Sequence, residues 1–181
     1  MNTSSNVRED SHICDSVLIL QIKKELPSKT TSFEVLTKRY HTILYSICLR
    51  IIGDSFLAED AYQNTMLKIF RYIHQFQMNS SFKTWAYRIA FNESISLKQK
   101  YKYELESVRD YEAYEEKDNL DDALEIERVL LKVSEEERQI LVLKYTVELS
   151  DKEIADIMDI SLSALKMRLT RAKQKLQKFL S

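Results

Sequence analysis

Ser150–Leu169 reads SDKEIADIMDISLSALKMRL, and its periodicity decides how the C-terminal third of the chain folds. Ser150 with Glu153 three residues on is a capping-box pattern that opens a helix. Ile154, Ala155, Ile157 and Met158 then make one apolar stripe. Asp159, Ile160 and Ser161 interrupt the period, with Asp159 where the chain needs a left-handed residue, a conformation Asp tolerates better than most. Ser161 can cap a second helix, in which Leu162, Leu165, Leu169, Ala172, Leu176 and Phe179 recur at spacings of three and four. The pattern is a helix-turn-helix with an extended second helix. Turning Leu162, Leu165, Leu169 and Ala172 inward leaves Ser163, Ala164, Lys166, Met167, Arg168, Thr170 and Arg171 outward. Lys and Arg pair with guanine edges or phosphates, and Ala164 and Met167 suit thymine methyls. The plain alternative is a solvated basic face. The preceding turn and the lack of acidic residues favour DNA, with Lys173, Lys175 and Lys178 meeting phosphate or water.

Working outward, 181 residues allow one domain or two small ones, and 44% hydrophobic residues suffice for ordinary cores. One Gly and one Pro are too few for sheets and long loops, so an all-α fold is expected. No apolar run is long enough to span a bilayer, and Met1–Asp15 lacks the pattern of a signal peptide. Cys14 and Cys48 are isolated, as in a reducing compartment, and a cytoplasmic location is expected. The net charge of −1 hides segregation. Ser161–Ser181 holds six basic residues and no acidic one, and Phe82–Tyr103 holds five basic residues against Glu93 alone. Glu104–Glu127 between them holds eleven acidic and two basic residues. Two basic blocks, not the average charge, point to nucleic acid.

The rest of the chain divides at that acidic stretch. Residues 1–14 read as a tail. Val17–Leu26 suits a short helix stopped near Pro27. Ser32 is a plausible N-cap for a helix carrying Phe33, Leu36, Tyr40, Ile43, Leu44, Ile47 and Ile51, ended by Gly53. A third helix from about Leu57 to Phe76 turns Ala58, Ala61, Thr65, Ile69, Ile73 and Phe76 inward. A polar break at Met78–Ser81 precedes a fourth, roughly Phe82–Lys102, with Phe82, Ala86, Ile89, Ala90 and Leu97 inward. These make one helical domain, residues 15–102. Residues 103–122 read as an acidic linker. Residues 123–181 form a four-helix helix-turn-helix domain: Leu124–Val133, then a helix opened by the Ser134–Glu137 capping box that carries Ile140, Leu141, Leu143 and Tyr145, then the two helices above.

Three segments now carry a family resemblance. Residues 58–65, AEDAYQNT, resemble the "AED-x-x-Q-[ED]-[TV]-F" signature of bacterial sigma factors. Residues 81–92, SFKTWAYRIAFN, are similar to their "F-x-x-W-L-x-R-I-A-x-N" segment, and residues 149–172 to their C-terminal helix-turn-helix. Order, spacing and length match the two-domain extracytoplasmic-function group. Asp159 stands where the family's turn glycine is usual, Glu148 where a glycine usually precedes Leu149, and Ala164 and Met167 flank Lys166 in place of small polar residues. The resemblance implies an RNA polymerase subunit that binds core polymerase and promoter DNA, expects an anti-sigma factor as partner, and has no cofactor or small-molecule substrate, no membrane insertion and no chemistry of its own. The C-terminal domain would read the upstream (−35) element through Ser163, Ala164, Lys166, Met167, Arg168 and Arg171. The first domain would meet the downstream (−10) element and the polymerase clamp.

The residue types are suited to these roles. The fourth helix interleaves aromatic and basic residues, as capture of an unstacked base requires. Asn92 can satisfy a base edge, Lys83 and Arg88 can hold a backbone, and Asn79, Ser80 and Ser81 in the preceding loop can frame a pocket. Trp85 and Phe91 can instead be ordinary core or half-buried residues, the reading favoured for Trp85, which leaves Arg88, Asn92 and the loop as the better site candidates. Glu59, Asp60, Gln63 and Asn64 share a polar stripe with Lys68. That stripe is either a solvated helix face or, as the resemblance implies, the surface that docks on a coiled-coil clamp helix of the polymerase. The acidic linker is either a soluble spacer or an occupant of a nucleic-acid channel. His12, His41 and His74 are dispersed, no cysteine stands at metal-ligand spacing from them, and no glycine-rich phosphate loop is present. A helix-turn-helix regulator working without polymerase is the alternative. A helical interaction module for acidic partners is a third, which leaves the helix-turn-helix unexplained.

Overall fold

The computed structural model of the protein describes residues 13–107 and 133–180, and every regular element among them is a helix. The expected tail up to residue 12, most of the acidic stretch, and the expected first helix of the second domain before Val133 lie outside the described residues.

Four helices make the first domain. α1 (Asp15–Glu25) buries Leu18, Ile19 and Ile22. Its Lys23 donates to the carbonyl of Phe76 at 2.6 Å, tying it to the far end of the third helix. α2 (Thr31–Ile52) ends on Gly53 at φ 81°, the left-handed geometry that its placement after the apolar period predicted. α2 starts at Thr31, two residues earlier than a Ser32 cap would allow. The Glu25 carboxylate of α1 accepts from the Ser32 backbone N–H instead, so a tertiary contact does the work of a cap. α3 (Ser55–Tyr72) is opened by Asp54, which accepts from Leu57 N–H, and continues as a single 3₁₀ turn, Ile73–Gln75. Its inward residues Ala58, Ala61, Thr65, Ile69 and Ile73, with Phe76, are all buried.

α4 (Phe82–Ser107) crosses both α2 and α3. Ser81 caps it, accepting from Thr84 N–H at 3.0 Å. Phe82, Ala86, Tyr87, Ala90 and Phe91 are buried, while Ile89 and Leu97 are half-buried. α4 runs five residues beyond Lys102, so the start of the expected linker is helix.

The second domain holds α5 (Glu135–Tyr145), α6 (Asp151–Met158) and α7 (Leu162–Leu180). Both expected capping boxes are formed, Ser134 with Glu137 and Ser150 with Glu153. Ser161 caps α7 by accepting from Ala164 N–H at 3.2 Å. Ile140, Leu141, Val142 and Leu143 are all buried. Four consecutive buried residues cover every side of a helix, so α5 must be packed on two faces. One face meets α6 and α7, and the other meets α2 of the first domain. Tyr145, expected inward, is exposed at the last turn, where the Lys173 ammonium lies 5.8 Å from its ring centroid. Leu162 is exposed too: as the first residue of α7 it precedes the turn that packs.

Polar contacts close the seam between the domains. Thr84 Oγ1 donates to Glu153 at 2.7 Å, and Arg88 donates to the carbonyl of Asp156 at 2.8 Å. Lys98, which donates to the carbonyl of Ile51 within the first domain at 2.9 Å, also pairs across the seam with Glu135 at 3.1 Å. Burial pulls the Lys98 ammonium below its ordinary value, assisted by nearby Arg138 and opposed by Glu135.

Glu148 and Asp159 both adopt φ 53°. The left-handed backbone that glycine usually supplies is therefore kept without glycine. A left-handed L-residue costs roughly 1–2 kcal/mol, less for Asp, and glycine returns about half of that gain through its unfolded-state freedom. Glu148→Gly is accordingly expected to raise stability by about 0.5–1 kcal/mol, read as a higher urea midpoint, and Asp159→Gly by less. An unchanged or lower midpoint for Glu148→Gly would show that its side chain, not its backbone, matters there.

Candidate nucleic-acid interface

Where α4 crosses the end of α3, Trp85, Ile89, Asn92 and Glu93 face Lys68, Tyr72 and Gln75 across a cleft of about 380 Å³. That volume is ordinary for a site taking one flat organic group. Trp85 forms one wall and is fixed from behind, its ring centroid 5.0 Å from Phe76 at 34° and 5.8 Å from Phe82 at 49°. Half-buried and backed by two aromatics, it is both a core residue and a cleft residue, so the two readings of the sequence are not exclusive. Phe91 is core. Asn92 is exposed at the opening, and Glu93 pairs with Lys68 across the cleft.

The other residues expected on this face are distributed around it. Lys83 lies 5.8 Å from the Tyr87 ring centroid, and burial pushes the Tyr87 hydroxyl up to about 12, so it stays neutral. Arg88 stands one turn before Asn92, its guanidinium on the Asp156 carbonyl. Asn79 and Ser80 are exposed in the loop, where Asn79 donates to Gln77, and Met78 takes φ 57°. Ser81 is occupied as the α4 cap. None of these three loop residues lines the cleft; its second wall comes from α3. Lys68, Tyr72 and Gln75 could be found only by knowing how the helices cross, since no local pattern marks them.

On α7, Leu165, Leu169 and Ala172 are buried. Ser163, Lys166, Met167, Thr170 and Arg171 are exposed, Met167 by 58%. Ala164 and Arg168 are half-buried, and Arg168 reaches α5 through Glu136. The first turn of α5 presents three carboxylates, and each holds one base. Glu135 pairs with Lys98, Glu136 with Arg168 at 3.1 Å, and Glu137 with Lys175 at 2.7 Å. Burial alone would raise the Glu137 carboxyl, but Lys175 and the Ser134 N–H outweigh it and hold it below the usual range. The Arg168–Glu136 pair is exposed, worth little, and easily exchanged for phosphate.

On α3, Glu59, Asp60, Gln63 and Asn64 are all exposed. The same face carries two large apolar side chains, Phe56 exposed by 79% and Leu67 by 61%. A helical wheel of the sequence would have shown both opposite the buried set. His41 bonds to the Tyr62 hydroxyl at 2.8 Å, and no group of His, Cys, Asp and Glu able to hold a metal occurs among the described residues. No described helix is long and apolar enough to cross a membrane.

A helix-turn-helix with an exposed basic second helix, joined to a helical domain bearing an aromatic-walled cleft, is the architecture to be matched with known proteins. Two family models match: Sigma-70 region 2 over residues 36–102 and Sigma-70, region 4 over residues 123–176. Among curated proteins the chain is 31% identical over 177 residues to the ECF RNA polymerase sigma factor SigW of Bacillus subtilis, covering 88% of this chain and 93% of that protein. It is 30% identical over 145 residues to SigM of the same organism, covering 76% of this chain and 88% of that protein. Among solved structures it resembles CnrH in complex with the cytosolic domain of CnrY, with TM-score 0.69 and 21% identity over 92% of this chain and 96% of that one. It also resembles the sigma factor RpoE of Bartonella quintana in complex with the anti-sigma factor NepR, with TM-score 0.68 and 22% identity over 80% of this chain and 95% of that one. The chain belongs to the extracytoplasmic-function group of the sigma-70 family of RNA polymerase sigma factors.

Proposed function

We propose a division of labour for this sigma factor in which α7 reads the upstream element of a promoter as duplex, and the α3–α4 cleft takes one unpaired base of the downstream element once the strands part. The observation that carries the second half is the cleft itself. An indole held on one side by Phe76 and Phe82 keeps its other side for stacking, and Asn92 stands beside it with an amide that can meet a base edge. Lys83 and Arg88 hold the backbone alongside, Arg88 after releasing the Asp156 carbonyl. The loop of Asn79, Ser80 and Ser81 positions the start of α4 and meets the strand at its edge. At the upstream end Ser163, Lys166, Met167 and Arg171 make the reading surface, with Ala164 and Arg168 at its flank. Core polymerase docks on the outer face of α3. An anti-sigma factor is the expected regulatory partner, since both structural relatives above were solved with a protein bound. The protein acts in the cytoplasm, binds and positions, and catalyses nothing itself. Sigma-70 matches in both domains set aside a regulator that works without polymerase.

Run-off transcription with purified core polymerase and a promoter library tests this. Initiation that depends on the protein is the expected result, and duplex binding without initiation would overturn it. Within that assay Arg171→Ala should weaken upstream-element binding about tenfold, the scale of one well-placed base or phosphate contact. Asn92→Ala should leave closed-complex binding intact and slow strand opening by a similar factor. Loss of closed-complex binding in Asn92→Ala would reverse the assignment of the two sites.

A further inference from the structure

Glu93 is anomalous. It is the single acidic side chain in the basic block Phe82–Tyr103, and it lines the cleft proposed to receive part of a polyanion. Its side chain is only 13% exposed, and Lys68 of α3 holds it by an ion pair. A carboxylate placed to meet phosphate would repel it. A carboxylate placed to meet a base edge does something useful, because it accepts hydrogen bonds and cannot donate them.

We infer that Glu93, held by Lys68, is a specificity-determining residue that makes the cleft accept a base with an amino group and reject thymine. The inference rests on the reading of the cleft as a base site and adds which base it admits. Among the polar groups of the cleft, Asn92 and Gln75 present both a donor and an acceptor and adapt to any base by turning their amides. Lys68 donates only, and every base offers it an acceptor. Glu93 alone makes a demand that one base fails. Adenine and cytosine present an exocyclic amine, and guanine presents adjacent ring and amino N–H groups that match both carboxylate oxygens. Thymine has one N–H on its pairing edge, flanked on each side by a carbonyl oxygen. A carboxylate reaching that N–H brings its second oxygen against a carbonyl lone pair. Lys68 keeps the carboxylate fixed and offsets its charge, so a strand can approach.

The test uses holoenzyme, reconstituted with core polymerase, on forked promoter probes in which each unpaired position of the downstream element is varied in turn among the four bases. Wild type should disfavour thymine by about tenfold at one position, the discrimination expected of a single lost edge contact. Glu93→Gln replaces the carboxylate with an amide that can both donate to a thymine carbonyl and accept from its N–H. It should bring thymine to within about twofold of the other bases at that position and leave the profile elsewhere unchanged. Glu93→Asp should keep the rejection in direction, and thermal melting of each variant monitors the fold. A thymine penalty that survives unchanged in Glu93→Gln, or its absence at every position in wild type, overturns the inference. Trp85→Ala and Asn92→Ala separate the two levels. If they weaken fork binding while Glu93→Gln leaves the base profile as it was, base capture stands and selection by Glu93 falls. If neither weakens fork binding, the cleft is not the base site.

Discussion

Replacing Phe56 and Leu67 together by serine is expected to weaken binding to core polymerase by at least about thirtyfold, the effect of losing a hot spot of about 2 kcal/mol. Fully burying one such side chain is worth roughly 1.5–3 kcal/mol, so two of them standing in water on one helix face forgo a large gain unless a partner covers them. Their geometry suits a partner helix. At 100° per residue Phe56 and Leu67 fall within about 20° of each other, roughly 16 Å apart along the axis. Asp60 and Gln63 lie between them, with Glu59 and Asn64 at the margins, all exposed. This is the composition of an interface with apolar anchors and a polar rim. The four polar residues singled out from the sequence would then set orientation and salt dependence, and the two apolar ones most of the affinity. Because neither anchor is buried in the free protein, the double variant should melt at the wild-type temperature, which separates lost docking from lost folding. Titration of labelled core polymerase reads the affinity. Binding within about threefold of wild type would place the dock elsewhere.

What the sequence made legible follows the range of the interaction. Caps are local, and so the Ser134 and Ser150 boxes, the Gly53 stop and the left-handed Asp159 were all readable from a few residues. Buried stripes repeat along a helix, and Ala58 to Ile73 on α3 was readable for that reason. Ser32 failed as a cap because Glu25, on another helix, reached its N–H first. Tyr145 and Leu162 failed because they stand at helix ends, where the stripe continues but the neighbouring helix does not. The cleft was half legible. Trp85 and Asn92 announce themselves by residue type, whereas Lys68, Tyr72 and Gln75 belong to it only through the crossing of α3 and α4. The double-sided burial of α5 shows in the apolar run of residues 140–143, but that it is the first domain that covers it does not.

Leu165→Ala is expected to cost about 3 kcal/mol and to abolish upstream-element binding without abolishing attachment to core polymerase. Leu165 is fully buried on α7, which packs on α5 and α6. Truncating a fully buried leucine removes transfer energy and leaves a cavity, together about 2.7–5 kcal/mol. Whole domains are stable by only about 5–15 kcal/mol, and this one is small. The loss therefore takes most of its margin, and α7 no longer presents Lys166, Met167 and Arg171 as a fixed surface. The docking face lies on α3, which packs on α2 and α4 of the first domain, so it should persist. The control is one turn away: Leu162 is the same residue type on the same helix but exposed, and Leu162→Ala should change stability by no more than about 0.5 kcal/mol. Denaturant titration gives both stabilities, and binding to an upstream-element duplex as holoenzyme gives the functional reading. Equal costs at the two leucines would mean that α7 packs in a register different from the one that turns Leu165, Leu169 and Ala172 inward.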